Sequence, residues 1–176
     1  MIKIGLTGSI ASGKTTACKI ISSRGVPIFS ADKVVQKLYK KKSFKKLVSK
    51  KLKFQFNLKF KKIIKNKILK NKETLKKLEK IIHPIVRKEM FIFLRKNKKK
   101  KLLLFEIPLL IESKLTKYFD VLIFIKSKNN LRLKRYISKG GRFKLFSLLD
   151  KHQIKDTKKM KFCDHIVVNN KSLSIL

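Results

Sequence analysis

The stretch that decides the fold lies at positions 8–15, where the sequence reads Gly-Ser-Ile-Ala-Ser-Gly-Lys-Thr. It matches the pattern G-x-x-x-x-G-K-[ST] at every specified position. The preceding residues 2–6, Ile-Lys-Ile-Gly-Leu, predict a short buried strand. The following residues predict a helix with Ala17, Ile20 and Ile21 on one face. A strand, a glycine loop and a helix in this order predict a phosphate-binding loop, or P-loop.

The residues of this loop have distinct predicted roles toward a nucleotide. Backbone N–H groups of the loop and of the helix N-terminus surround the β- and γ-phosphates. The Lys14 ammonium neutralises phosphate oxygens, and the Thr15 hydroxyl ligates Mg²⁺. A chance glycine-rich turn with a surface lysine is the competing interpretation, and the strand and helix around the loop disfavour it. The predicted nucleotide-binding residues of the loop are Gly8, Ala11, Ser12, Gly13, Lys14, Thr15 and Thr16.

An acidic residue, Asp32, follows a second predicted strand at residues 26–29. An acid just past the carboxyl end of such a strand points into the crevice where open α/β sheets bind ligands. Asp32 then orients, or accepts a proton from, an attacking hydroxyl, or holds Mg²⁺ through water. The alternative is that Asp32 caps a helix beginning near Lys33.

The remainder of the chain alternates predicted helices and strands. Residues 33–52 and 58–96 predict helices, the second of them broken at His83-Pro84 and resumed from Pro84. Continuous apolar runs predict three further strands at 102–105, 121–125 and 165–168. Five strands with helical connections predict an α/β fold with a doubly wound parallel sheet.

Further charged residues have two interpretations each. Glu106 ends a hydrophobic strand, which is the usual form of the second NTPase motif, but capping explains Glu106 and Glu112 equally well. His83 and Arg87 lie close together on a helix and either face a substrate anion or serve the packing of that helix. A basic segment either closes over a transferring phosphoryl group or forms a solvated helix face. Its cations are Arg132, Arg135, Lys139 and Arg142.

The composition excludes several classes of protein. The chain has 176 residues, and its 43% hydrophobic residues are too many for a disordered basic tail. No apolar run approaches the roughly 18 residues of a transmembrane helix. The first residues lack the pattern of a signal peptide, and Cys18 and Cys163 have no metal-like spacing. We therefore expect a cytoplasmic protein with reduced thiols and no membrane partner.

The net charge of +38 comes from 48 basic and 10 acidic residues. Residues 37–101 alone carry 27 basic and three acidic side chains, a net charge of +24. Such a charge attracts polyphosphate, but 42 of the 48 basic residues are Lys rather than Arg, the better reader of phosphate and guanine. A biased genome explains an excess of Lys, Ile, Phe and Asn equally well, so no specific nucleic-acid partner is expected.

Five motifs occur along the chain in an order that is typical of one family. They are the loop and its extension at 8–16, Ser-Ala-Asp at 30–32, His-Pro at 83–84 with Arg87, Pro-Leu-Leu-Ile-Glu at 108–112, and Cys-Asp-His-Ile-Val-Val-Asn-Asn at 163–170. Together they resemble the dephospho-CoA kinases over nearly the whole chain. The loop alone fits any P-loop kinase, whereas the His-Pro and Pro-Leu-Leu-x-Glu elements are specific to this resemblance.

The resemblance implies a three-layer P-loop NTPase fold. Residues 1–36 and 102–176 would form the nucleotide-binding core with a lid at about 132–158, and residues 37–101 a helical CoA domain. It implies transfer of the γ-phosphoryl group of ATP to the ribose 3′-hydroxyl of dephospho-CoA, the final step of coenzyme A synthesis, with Mg²⁺. A monomer or a weak homo-oligomer is expected.

The resemblance also implies roles for individual residues. Asp32, Lys14 and Arg135 would be catalytic residues, and Thr15 would bind the metal ion. His83 and Arg87 would lie on the side of the acceptor substrate. Asn169 would lie on the side of the adenine. Four positions depart from the family pattern. Ser9 and Ala11 replace glycines, Ser30 replaces an aspartate, and Lys139 stands where a second lid arginine is expected.

Two other functions remain open from the sequence. Another P-loop nucleoside monophosphate kinase or small-molecule kinase would share the loop. A nucleic-acid-binding ATPase would use the lysine-dense residues 37–101, although neither aromatic stacking motifs nor arginine clusters favour it.

Overall fold

The computed structural model describes residues 1–23 and 25–171, in which β-strands and α-helices alternate. The strands are β1 (Ile2–Thr7), β2 (Ile28–Ser30), β3 (Leu102–Glu106), β4 (Val121–Lys126) and β5 (His165–Val168). They form one sheet in the order β2-β3-β1-β4-β5, and every pairing is parallel. The predicted five-stranded parallel sheet is confirmed.

The helices of the described residues follow the same alternation. They are α1 (Lys14–Ser22), α2 (Ala31–Leu38), α3 (Lys42–Lys51), α4 (Phe60–Lys70), α5 (Lys72–Lys96), α6 (Asn129–Ile137), α7 (Phe143–His152) and α8 (Asp156–Met160), with a short 3₁₀ helix at Thr116–Tyr118. Because β1 is central and all strands are parallel, the loops after β1, β2 and β3 leave the sheet at the same edge. That edge carries the P-loop.

Helix α1 packs its apolar face on the centre of the sheet. Ala17 and Cys18 are buried against Leu6, Leu104 and Ile125. The prediction that Ile20 belongs to this face is wrong, because its side chain is 45% exposed. Instead of Ile20, the buried face of α1 includes Cys18, which lies one turn after the buried Lys14.

The chain divides into two compact units. The first unit consists of Met1–Ala31 and Leu94–Leu176, and it contains the whole sheet. The second unit is Asp32–Phe93 and is helical. The roles and boundaries predicted for the core, the helical domain and the lid remain predictions.

The second unit has an aromatic core centred on Phe60, which is 2% exposed. The rings of Tyr39, Phe54 and Phe56 lie around it, with ring centroids 5.8 to 6.5 Å from that of Phe60. Phe44 packs against Tyr39 at 5.6 Å. Burial among these rings raises the pKa of the Tyr39 hydroxyl to about 12, because the phenolate would lose its hydration.

The predicted helix at 33–52 is wrong in one respect, since it is two helices, α2 and α3. The N–H groups of Lys40 and Lys41 donate to carbonyls only three residues earlier, which ends α2 in a tight turn. Lys41 is then extended, with φ −73° and ψ 125°. Because no glycine or proline marks this turn, the sequence pattern did not indicate it.

The predicted helix at 58–96 is also two helices, and its division is not where we expected it. The Asn71 side chain accepts a hydrogen bond of 2.8 Å from the Glu73 N–H and so caps α5. Pro84, in contrast, lies inside α5, which continues through it for another three turns. Leu75, Leu78 and Met90 are buried on both sides of the proline. Burial of this stripe offsets the roughly 3 kcal/mol that a proline costs inside a helix.

No helix in residues 1–23 and 25–171 has both the length and the apolar character to span a bilayer.

Candidate phosphate-binding active site

The P-loop requires glycine at two of its positions. Gly8 and Gly13 have φ values of 149° and 98°, in the region that side chains disfavour. A Cβ on Gly8 would lie 2.5 Å from the Ile125 carbonyl oxygen, and one on Gly13 would lie 2.0 Å from Asn169 Nδ2. The backbone therefore passes too close to β4 and to the end of β5 for any larger residue.

Ala11 adopts a left-handed conformation without being a glycine, with φ 58°. Such a conformation costs on the order of 1 kcal/mol for a residue with a Cβ, so surrounding contacts must hold it. The Ser12 N–H donates to the Ser9 carbonyl at 3.2 Å, closing the turn around Ala11. Helix α1 then begins as the N–H groups of Thr16 and Ala17 donate to the Gly13 carbonyl at 3.0 Å.

Lys14 is buried beside the loop, and its ammonium forms hydrogen bonds with backbone carbonyls of the loop. Its Nζ donates to the carbonyl oxygens of Gly8 at 3.0 Å and Ser9 at 2.9 Å. The side chain is only 6% exposed, so the cation is held at the loop rather than in solvent. The Ser12 hydroxyl is also buried, and no residue in the described part of the chain bonds to it. A cation and an unpaired hydroxyl at one loop suit an anionic ligand.

Glu106 joins the P-loop helix to β2. Its Oε1 accepts a hydrogen bond from the Thr15 hydroxyl, and its Oε2 accepts one of 2.7 Å from the Ser30 hydroxyl. Ser30 and Glu106 are register partners at the ends of β2 and β3, and both are buried. Of the two sequence interpretations of Glu106, the geometry favours the second NTPase motif, because the carboxylate binds side chains of the phosphate site.

The Thr15 and Glu106 oxygens suit a small, hard divalent cation. Such a cation prefers hydroxyl, carboxylate, phosphate and water oxygens. Across residues 1–23 and 25–171, no group of three or more His, Cys, Asp or Glu residues could hold a metal by itself. A divalent cation with few protein ligands can complete its coordination with nucleotide phosphates and water.

Arg135 and Asn169 lie together at the α1 end of the loop. The Arg135 guanidinium donates to the Asn169 carbonyl at 3.2 Å, to its Oδ1 at 3.3 Å, and to the Ser127 hydroxyl at 3.0 Å. The Asn169 amide donates to the Ser12 carbonyl at 2.9 Å. These contacts tie the end of β5 and helix α6 to the loop, so Arg135 and Asn169 share one face of the phosphate site.

The segment from α7 to α8 contacts the other end of the loop. The Ser9 hydroxyl donates to Asp156, and the Ile10 N–H donates to Gln153 Oε1 at 3.1 Å. Arg132, paired with Asp150, donates to the Ile10 carbonyl at 3.4 Å. No local pattern in the sequence links Gln153 or Asp156 to this loop, which lies 143 and 147 positions earlier, respectively.

The remaining predicted site residues belong to the second unit. Asp32 lies in the first turn of α2, two residues after Ser30, and its side chain is exposed. His83 and Arg87 are four residues apart in α5 and therefore share one face of that helix. His83 is half-buried and Arg87 is exposed. Their predicted functional roles stay predictions.

Comparison with known proteins identifies the family. The family model for dephospho-CoA kinase matches residues 2–174. A dephospho-CoA kinase of Fusobacterium nucleatum is 34% identical over 98% of this chain and 92% of its own length. One of Bartonella quintana is 36% identical over 97% of this chain and 90% of its own.

A solved structure agrees with these relatives. The dephospho-CoA kinase from Campylobacter jejuni superposes with a TM-score of 0.65 at 29% identity, over 98% of this chain and 90% of that one. The fold is thus that of the P-loop kinases, and in this chain it comprises a five-stranded parallel sheet with a phosphate loop after β1. The chain therefore belongs to the dephospho-CoA kinase family.

Proposed function

We propose that this chain transfers the γ-phosphoryl group of ATP to the ribose 3′-hydroxyl of dephospho-CoA, the final step of coenzyme A synthesis. The observation that carries the proposal is the complete phosphate loop, with Lys14 beneath it and Thr15 bonded to Glu106, in a chain of the dephospho-CoA kinase family. The named relatives are ATP-dependent phosphotransferases by family, and the loop is the part of the site that handles the nucleotide.

Mg²⁺ is the cation we propose for this site. Thr15 and Glu106 would hold it, and when bound it would neutralise charge on the β- and γ-phosphates. Ser30 restricts the Glu106 carboxylate by its hydrogen bond of 2.7 Å, so that the other carboxylate oxygen stays aimed at Thr15. The protein would thereby supply two of the metal ligands, the Thr15 hydroxyl and a Glu106 carboxylate oxygen, rather than a complete coordination shell.

Lys14 and the loop backbone bind the phosphates. The ammonium exchanges its contacts with the Gly8 and Ser9 carbonyls for phosphate oxygens, so it moves from one set of acceptors to another without becoming desolvated further. The N–H groups at the start of α1 are oriented toward the same anion. These groups stabilise the negative charge that spreads over the transferring phosphoryl group.

Asp32 acts on the acceptor hydroxyl. Its carboxylate orients the 3′-hydroxyl for in-line attack on the γ-phosphorus and accepts the proton that the hydroxyl loses, while ADP leaves. The position of Asp32, just past the end of β2 and exposed in the first turn of α2, supports this role. His83 and Arg87, on one face of α5, bind the anionic groups of the acceptor.

Arg135 and Asn169 serve the nucleotide side of the site. Their contacts with the Ser12 carbonyl hold the loop where it enters α1, with Asn169 toward the adenine and Arg135 toward the phosphates. Residues 132–158 form the lid in this proposal, and residues 37–101 the CoA domain. We also infer a cytoplasmic monomer or weak homo-oligomer without a specific nucleic-acid partner.

A coupled assay that follows ADP production tests the acceptor. Dephospho-CoA, AMP, dTMP and shikimate are compared at equal concentration with saturating MgATP, and dephospho-CoA is expected to give the highest kcat/KM by orders of magnitude. Lys14→Ala serves as the inactive control. A higher kcat/KM with any of the other three acceptors would overturn the proposal, as would ATP hydrolysis that RNA or DNA stimulates.

A further inference from the structure

The segment from Asp150 to Asp156 lies against the first half of the P-loop, the half that does not lead into α1. Two of its side chains are hydrogen-bond acceptors for the loop. Gln153 Oε1 accepts the Ile10 N–H at 3.1 Å, and Asp156 accepts the Ser9 hydroxyl. The second of these bonds uses the side chain of Ser9, whereas the first uses only the backbone of Ile10.

The same segment also contacts Glu112, the last residue of the Pro-Leu-Leu-Ile-Glu motif. Glu112 Oε1 accepts the Ile154 N–H at 3.1 Å and lies 2.6 Å from Lys159 Nζ. Lys159 is fully buried, and within the described residues no group accepts a well-aligned hydrogen bond from it, so the contact with Glu112 is an ion pair. Glu112 thus contacts the residue that follows Gln153 and a residue of α8, the helix that begins with Asp156.

The loop needs such support at this point. Ala11, directly after Ile10, is held in the left-handed region at φ 58°, which an alanine leaves unless its neighbours are restrained. The bonds to Ser9 and Ile10 restrain the two residues before it, and the Ser12 N–H to the Ser9 carbonyl restrains the residue after it. The acceptors on the α7–α8 side therefore contact the residues that directly precede the left-handed Ala11.

We propose that Gln153 and Asp156 are positioning residues that hold residues 9–11 of the P-loop in the conformation that binds ATP. The proposal rests on the proposed function only in taking ATP as the nucleotide. Neither residue needs to touch the nucleotide, because each acts through Ser9 or Ile10. Their contribution is expected in the affinity for nucleotide rather than for the acceptor.

Isothermal titration of the full chain with MgATP, without an acceptor, tests the proposal. Gln153→Leu and Asp156→Ala each remove an acceptor, and we expect the Kd for ATP to rise about three- to tenfold, the range for one hydrogen bond. Asp156→Asn keeps an acceptor oxygen for Ser9 and is expected to stay within about twofold of the wild type. The KM for dephospho-CoA should change by less than about twofold in all three.

Matched controls separate positioning from general destabilisation. Gln55→Leu and Asp120→Ala change exposed residues of the same types. Asp120→Ala removes hydrogen bonds from Lys3 to the Asp120 carboxylate. Lys3 lies at the amino end of β1, which is the end opposite the P-loop. Both controls should bind ATP as the wild type does, even where Asp120→Ala lowers the melting temperature.

Three results would overturn the proposal. They are an unchanged Kd for ATP in folded Gln153→Leu, an Asp156→Asn variant as impaired as Asp156→Ala, or a change in Kd that follows melting temperature across variants and controls. If Asp156→Ala does not fold, Ser9→Ala removes the same hydrogen bond from the loop side and is expected to raise the Kd equally. A wild-type chain that binds no ATP would refute the proposed function instead.

Discussion

Ser30 at the end of β2 donates a hydrogen bond of 2.7 Å to Glu106 at the end of β3. The two residues are register partners, and the other oxygen of the same carboxylate accepts the Thr15 hydroxyl. One buried carboxylate thus connects the P-loop helix to the strand that leads into Asp32. The Ser30 hydroxyl donates to Glu106, whereas an aspartate carboxylate at this distance would repel it.

Glu106→Gln should reduce activity by weakening the cation site. The substitution keeps the size of the side chain but removes its charge, and loss of a group that orients a metal residue typically costs about 10- to 100-fold in metal affinity or activity. The Mg²⁺ concentration for half-maximal rate is expected to rise correspondingly, while Glu89→Gln, on the exposed face of α5, leaves it unchanged. An unaltered Mg²⁺ dependence in Glu106→Gln would argue against the proposed cation site.

Asp32→Ala should abolish turnover while ATP binding survives. The expected loss is large because Asp32 is the acid proposed to orient the acceptor hydroxyl and take its proton, a contribution of about 10²- to 10⁴-fold. Because the exposed side chain makes a small contribution to packing, the variant should fold. Single-turnover kinetics and nucleotide titration measure the two effects separately. Near wild-type turnover would instead leave Asp32 as an acidic residue that stabilises the first turn of α2 through the helix dipole.

The sequence predicted the strands and the phosphate loop because their signals are local. The apolar runs at Leu102–Glu106 and Val121–Lys126 are bounded by polar residues, and the loop pattern occupies consecutive positions. The division between α2 and α3 has no such signal, and beside it Tyr39 packs against Phe44 and Phe60, contacts that no local pattern predicts.

The support of the loop could not be predicted from the sequence either. Gln153 and Asp156 reach it across 143 and 147 positions, and neither lies in a motif with a known spacing. Glu106 is the intermediate case. Its position after an apolar strand indicated the second NTPase motif, but only the bonds to Thr15 and Ser30 favour that motif over a cap.

Lys159→Met should destabilise the chain, because it leaves the Glu112 carboxylate without its cation. Removing one partner of a buried ion pair typically costs about 3–5 kcal/mol, and the solvent that reaches Glu112 places the expected loss near the lower end, at about 3 kcal/mol. Urea unfolding measures the change. The double variant Lys159→Met/Glu112→Gln should recover part of the loss, since it removes the uncompensated charge. If the double variant loses stability additively, the ion pair is not what couples the two residues.

Tyr39→Phe should remove a pH dependence of stability in the alkaline range. The pKa of Tyr39 is raised from 10.0 to about 12 in the folded chain by burial in the aromatic core, so between these values the unfolded chain releases a proton that the folded chain keeps. Stability of the wild type therefore falls as the pH rises through this interval, with a slope from this group of at most about 1.4 kcal/mol per pH unit. The lysines titrate in both proteins, so the difference between wild type and Tyr39→Phe isolates the tyrosine. Urea unfolding at pH 9, 10 and 11 should show the variant losing less stability than the wild type, and parallel losses would mean that the Tyr39 hydroxyl remains accessible to water.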